Sequence, residues 1–163
     1  MFLDSFFNIN RVRIIKITLM AEMVFLLLFS CQKNNSSSDS LSDIQQIENH
    51  MQIQEDAWNE GDLEGFMQFY WQSDSLRFIG KSGLNMGWTK TLNNYKSSYP
   101  NKKEMGTLKF TNKSLDIIGE RSIFVVGEWL LIRSDSLGDL SGMYSLIWEK
   151  KNSNWVITTD HSS

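Results

Sequence analysis

One cysteine and one proline occur among the 163 residues, Cys31 and Pro100. A lone thiol excludes an internal disulfide. The two histidines, His50 and His161, show no clustered ligand spacing with it, so no metal site and no cofactor is expected. Basic charge is thin as well. Sixteen lysines and arginines stand against 19 aspartates and glutamates, for a net charge of −3. Lys102-Lys103 and Lys150-Lys151 are pairs rather than patches, and nucleic-acid binding needs a clustered basic face. What the chain does have is bulk. Six tryptophans and ten phenylalanines are ample for a core, and 41% apolar with 21% charged residues is an ordinary globular balance. The length fits one domain.

The N-terminal stretch has its own pattern. "RVRIIK" supplies Arg11, Arg13 and Lys16, the apolar "MVFLLLFS" follows, and "QKNNSSSDS" comes after Cys31. Basic, then apolar, then small residues is the order of a secretory signal. "LFSC" resembles a bacterial lipobox, in which the cysteine is lipidated and becomes the new N-terminus. The competing readings are a membrane anchor and a buried helix. Residues 14–30 are short for a span, and Glu22 would sit inside it at a cost of roughly 2.5–3.5 kcal/mol. Glu22 also trims the uninterrupted apolar run to residues 23–29. The resemblance implies a signal peptide over 1–30 and lipidation of Cys31. It implies a lipid-anchored protein of the bacterial cell envelope, periplasmic or surface-facing. Residues 31–42, rich in serine and asparagine, read as a flexible tether, and 43–163 as the folded domain. A domain of this size buries roughly two-thirds of its unfolded surface and can hold a core unaided.

Within the domain, Ser42 with Gln45 fits a capping box. Ile44, Ile47, Met51 and Trp58 recur at helical spacing. Gly61 ends that helix, and Asp62 is placed to cap a second over "LEGFMQFYW", with Leu63, Phe66, Met67 and Tyr70 on one face. "DSLRFIG" reads as a short strand, "SGLNMG" as a turn, and "WTKTLNNYKSSY" as a third helix stopped by Pro100. Four segments rich in β-branched and aromatic residues follow: "GTLKFTNKSLDII", "SIFVVGEWLLIRS", "SGMYSLIWEKK" and "NWVITTDHSS". Three helices and then four long antiparallel strands give an α+β domain.

This order of elements resembles the nuclear transport factor 2-like superfamily. Its ketosteroid-isomerase-like and SnoaL-like (DUF4440-type) branch is the most similar. The resemblance rests on "AWNEGDLEGFMQFYWQSDSLRFIG", Gly87 opening the third helix, "FVVGEWLLI" and "GMYSLIWEKKNSNWVITTDHSS", and it covers residues 44–163. It implies a curved antiparallel sheet wrapped around about three helices as a cone, with a pocket at the open end. Members include isomerases, dehydratases, epoxide hydrolases and binding or assembly domains, so the fold leaves function open. The cone also resembles the association domain of calcium/calmodulin-dependent kinase II, whose pocket carries three arginines. The matching positions here are Trp129, Leu146 and Ser162. The resemblance therefore implies a pocket for an uncharged, largely apolar molecule rather than an anion.

Strand side chains alternate faces. That groups Val125, Gly127, Trp129 and Leu131; Tyr144, Leu146 and Trp148; and Thr158, Asp160 and Ser162. It points Asp160 and Ser162 inward. It points Trp155, Ile157, Thr159 and His161 outward. The outward residues Phe124, Val126, Leu130 and Ile132 are apolar and need cover, which a homodimer through the sheet would supply.

Asp160 is the candidate acid/base, because a carboxyl among aromatics has a raised pKa. The alternative is a strand-end carboxylate held by backbone or serine. His161 is the second catalytic candidate, against a solvent- or dimer-facing imidazole. Asp160, His161 and Ser162 cannot form a triad in series, since adjacent residues face opposite ways. Tyr70, Tyr95 and Tyr144 are candidate oxyanion donors or hydrogen-bonded core residues. Trp58, Trp88, Trp129 and Trp148 serve either as core or, with Leu146 and Ser162, as walls of a ligand pocket. Three functions remain: apolar-ligand binding, an isomerase, dehydratase or hydrolase with Asp160 as base, and a homodimeric assembly module. An open pocket with Asp160 within about 3 Å of a tyrosine hydroxyl favours the enzyme; a pocket filled by side chains favours assembly.

Overall fold

The computed structural model describes residues 35–134 and 136–163, with side chains from Ser40 onward. Cys31 and the expected signal peptide lie outside the described residues. Residues 42–163 form one compact unit.

Helix α1 (Asn35–Glu60) starts earlier than expected. Residues 35–42, placed in the tether by composition, are helical, and the Ser42–Gln45 pair lies inside the helix rather than at its start. Serine and aspartate are only weakly unfavourable within a helix, and extending a formed helix is easier than nucleating one. The expected stripe is the buried face: Ile47, Met51 and Trp58 are core, with Ile44 packed against it. Asp43 fastens this helix to the sheet. Its Oδ1 accepts from Lys150 Nζ at 2.8 Å and from Trp155 Nε1 at 2.9 Å.

Gly61 (φ +88) ends α1, and the Asp62 carboxylate accepts from Gly65 N at 2.9 Å to cap α2 (Leu63–Phe66). The second helix is shorter than expected, giving way to a 3-10 turn over Met67–Phe69. Its last carbonyls go to side chains instead of continuing the helix. Gln54 donates to Phe66 O at 2.9 Å and Trp88 to Met67 O at 3.0 Å. Tyr70 then bridges to Ile157. Strands β1 (Arg77–Gly80) and β2 (Gly83–Met86) form a hairpin, so the segment read as a turn is a strand. Helix α3 (Trp88–Ser98) follows Gly87 as expected, and a short α4 (Lys102–Met105), which was not expected, is capped by Asn101.

Strands β3 (Thr107–Gly119), β4 (Ser122–Ile132), β5 (Leu140–Lys151) and β6 (Asn154–Ser162) are the four long strands expected. The sheet order is β2-β1-β6-β5-β4-β3. β3 to β6 pair antiparallel, but β1 runs parallel to β6, with Phe78 opposite Asp160. The sheet is therefore mixed rather than wholly antiparallel. A parallel neighbour needs a long crossover, and everything from β2 to β5 intervenes between these two strands.

The register slips once between β5 and β6. Ile147 faces Thr159 and Trp148 faces Ile157, leaving Thr158 as an extra residue. Such a bulge inverts the alternation on one side of it. Trp155 and Ile157 are thus buried with the core, not on the outer face where strict alternation put them. Asp160 and Ser162, beyond the bulge, still point inward.

Candidate functional site

Helices and the concave face of the sheet line a half-open cavity of about 760 Å³. α1 contributes Met51, Gln54 and Trp58, and α3 contributes Tyr95. The sheet contributes Phe110, Trp129, Tyr144 and Leu146. The rings brace one another edge to face. Trp58–Phe66 centroids are 5.1 Å apart, Phe66–Tyr95 5.3 Å and Phe110–Tyr144 5.4 Å. Edge-to-face pairs of this kind fix ring orientation at modest energy.

Asp160 lines this cavity and is 2% exposed. Its Oδ2 accepts from Tyr70 Oη at 2.6 Å and its Oδ1 from Ser162 Oγ at 2.6 Å. Tyr95 lies in the same buried cluster and feels the charge of Asp160. The result is one carboxylate held by two hydroxyls. Two separate elements build it: the segment after the 3-10 turn and β6. Burial pushes the Asp160 carboxyl above its ordinary value, and the bonds from Ser162 and Tyr70 offset this only in part. Burial, then the charge of Asp160, hold Tyr70 and Tyr95 well above the usual phenol range, so both are neutral donors.

A second polar point lies across the cavity. Tyr144 Oη donates to Asn112 Oδ1 at 2.6 Å. Burial raises this phenol too. Gly127 makes the arrangement possible, because a Cβ there would collide with the Tyr144 hydroxyl and come within 2.6 Å of Thr111 O.

Of the residues singled out in the sequence, Trp58, Tyr70, Tyr95, Trp129, Tyr144, Leu146, Asp160 and Ser162 line the cavity. Three others do not. Trp148 is wholly buried, 6.0 Å from the His50 ring, with its indole nitrogen unpartnered. Trp88 is spent on bracing the turn through Met67 O. His161 is exposed on the outer face, opposite Ile79 of β1, and cannot reach the cavity. Residues not assigned to the pocket from sequence include Gln54, Phe66, Phe78 and Phe110. Phe66 sat on the expected helix face and Phe78 on the expected strand, so their periodicity was visible, but nothing in it separates a cavity wall from packed core. Among the described residues, no group of His, Cys, Asp and Glu is placed to hold a metal.

The chemistry available is narrow. The floor offers one carboxylate whose two oxygens each accept one hydrogen bond and keep capacity for another. Around it are apolar and aromatic surface, neutral hydroxyls, the amides of Gln54, Asn85 and Asn94, and the exposed Lys81.

No family model and no curated protein matches the chain. Solved structures do. An NTF-2 like protein of unknown function from Shewanella oneidensis is 40% identical, covering 74% of this chain and 98% of that one, with a TM-score of 0.70. An NTF2-like superfamily protein from Salmonella enterica shares 18% identity over 73% of this chain and 88% of its own, with a TM-score of 0.58. LinA, a hexachlorocyclohexane dehydrochlorinase, shares 14% identity over 78% of this chain and 89% of its own, with a TM-score of 0.67. The last two show a common fold alone. The first, nearly complete in its own length and 40% identical, places this chain in the NTF2-like superfamily.

Proposed function

We propose that this chain is a lipid-anchored protein of the bacterial cell envelope whose domain holds a small, largely apolar molecule in the aromatic cavity. One observation carries the binding part: the cone is not filled by its own side chains, and a single buried carboxylate stands among aromatic walls. Concave sites of this size with few polar groups are the usual form of ligand pockets. The three positions that carry arginine in the resembling kinase domain, Trp129, Leu146 and Ser162, all line the cavity. This supports a ligand that is not an anion. An unfilled cavity also speaks against assembly as the whole role. Thermal-shift screening tests the reading. Apolar molecules should stabilise the domain, and stabilisation by carboxylates and phosphates alone would overturn it.

The 2.6 Å contact between Tyr70 and Asp160 favours a second reading, an enzyme of the isomerase, dehydratase or hydrolase type with Asp160 as general base. Such a base must reach a substrate proton at hydrogen-bond distance, and Asp160 has oxygen lone pairs free to do so. Tyr70 spends its one proton on Asp160, which makes it a positioning group for the carboxylate before it is a donor to substrate. If a substrate is found and Asp160→Asn abolishes turnover without loosening binding, the enzyme reading replaces the first.

A further inference from the structure

The cavity joins two features that are rarely neutral to one another, a buried carboxylate and aromatic walls. Among the described residues none of the four ion pairs includes Asp160. The groups facing it are the phenols of Tyr70 and Tyr95 and the hydroxyl of Ser162, all uncharged. Tyr144 on β5 adds a neutral phenol. His161 is next in the chain but exposed on the other side of the strand, and Lys81 stands on the exposed β1–β2 turn at the cavity's edge. Asp160 is the one buried charged side chain of the lining, while Lys81 is exposed. Both carboxylate oxygens are fixed by donors at 2.6 Å, so the group cannot turn to find a partner of its own. Aromatic rings add to the preference, since their faces attract cations most strongly where water is excluded.

Resting on the ligand-binding reading above, we propose that the ligand is a lipophilic amine, its ammonium group beside Asp160 and its apolar body against Trp58, Phe110 and Trp129. This replaces the sequence-based expectation of an uncharged molecule. Trp129, Leu146 and Ser162 lack the charge that would hold an anion, but they say nothing against a cation. The buried, unpaired carboxylate supplies the missing counter-charge. A buried charge is costly unless paired, and an arriving ammonium removes that cost while a neutral alcohol of the same shape does not. The bonds from Tyr70 and Ser162 then hold the carboxylate facing the amine.

The test uses matched pairs that differ only in the head group: 1-aminoadamantane against 1-adamantanol, and 2-naphthylmethylamine against 2-naphthylmethanol. Affinities are measured by calorimetry on the purified full chain at neutral pH. The amine of at least one pair should bind roughly tenfold tighter or more than its alcohol. Asp160→Asn should bring that ratio close to one. The preference should also fade as pH falls far enough to protonate Asp160. Alcohols binding as well as or better than their amines would overturn the inference and leave the ligand-binding reading standing. An amine preference that survives Asp160→Asn would also overturn it. Failure of all four compounds and of every apolar molecule in the thermal-shift screen, with the fold intact by circular dichroism, would remove both.

Discussion

Asp160 is the residue on which the site turns, and its titration has a sign that can be checked. Burial raises its pKa above the ordinary 3.8. The folded state therefore holds this proton more tightly than the unfolded chain. Its contribution to stability is fully present below 3.8 and is lost as pH rises through the folded value. Asp43 and Glu149 act in the opposite direction. Burial works against Asp43, but its bonds from Lys150 and Trp155 outweigh that, and a bond from Lys151 lowers Glu149. Their contributions are lost only as pH falls through lowered values. The comparison of wild type with Asp160→Asn isolates the first effect. The stability of wild type relative to the variant should decline with rising pH across the range just above 3.8, measured by urea titration at a series of pH values. A flat difference would show that the carboxyl is not buried as described. Tyr70→Phe should extend the decline to higher pH, because it removes a donor to the anion. It should also cost about 1–3 kcal/mol at neutral pH, where a buried acceptor loses its partner. The inward direction of Asp160 and Ser162 and the outward direction of His161 were legible from alternation alone. The donor to Asp160 was not. Tyr70 lies 90 residues away in sequence, and no spacing rule links a turn after α2 to the last strand.

At the scale of elements, the sequence shows what each segment is better than how it meets its neighbours. The stripe of α1, Gly87 before α3 and all four long strands were readable, because apolar periodicity and turn residues act locally. The parallel pairing of β1 with β6 was not, since pairing partners are chosen by the assembled sheet. The bulge at Thr158 is the costliest miss. Nothing about threonine between Ile157 and Thr159 announces it. Yet it lets one strand bury Trp155 and Ile157 on one side of the irregularity and Asp160 on the other, all facing inward. Deleting Thr158 restores simple alternation and forces a choice. Either Trp155 and Ile157 turn outward, or Asp160 and Ser162 do. Exposing the two apolar side chains forfeits roughly 1.5–3 kcal/mol for each, a large part of the 5–15 kcal/mol that holds a typical domain. The deletion should abolish cooperative thermal unfolding and the near-ultraviolet circular dichroism of the packed tryptophans. A deletion variant that melts cooperatively with both signals intact would show that the bulge is dispensable.

At the scale of the whole molecule two proposals concern what lies outside a single domain. The first is the anchor. Mass spectrometry of membrane-extracted protein should find Cys31 acylated and residues 1–30 gone, and Cys31→Ala should release the protein from membranes. Several acyl chains anchor stably where one does not. An unmodified N-terminus at Met1, or unchanged attachment of the variant, would remove the idea.

The second is the homodimer through the sheet. On the outer face Phe124 of β4 stands opposite Ile147 of β5, with Val126 and Leu130 farther along β4. Ile132 and Met143 extend the patch and are 49% and 43% exposed. The Lys113–Glu128 ion pair, at 2.9 Å, joins β3 and β4. An apolar patch on a sheet whose other side already covers a cavity is the kind of surface that oligomers bury. Two-fold symmetry would set the same patch against itself. A stable interface takes about 800 Å² from each partner, within the reach of a face of four long strands. The cavity opens on the opposite side of the sheet, so a dimer of this kind leaves both ligand sites accessible. Light scattering after size exclusion should report twice the chain's mass at micromolar concentration, and Val126→Lys should report one. The charge would face its own symmetry mate in an apolar interface, where like charges cost several kcal/mol. Circular dichroism should be unchanged, because Val126 points away from the core. A monomeric wild type would end the proposal. A dimeric Val126→Lys would move the interface to another face.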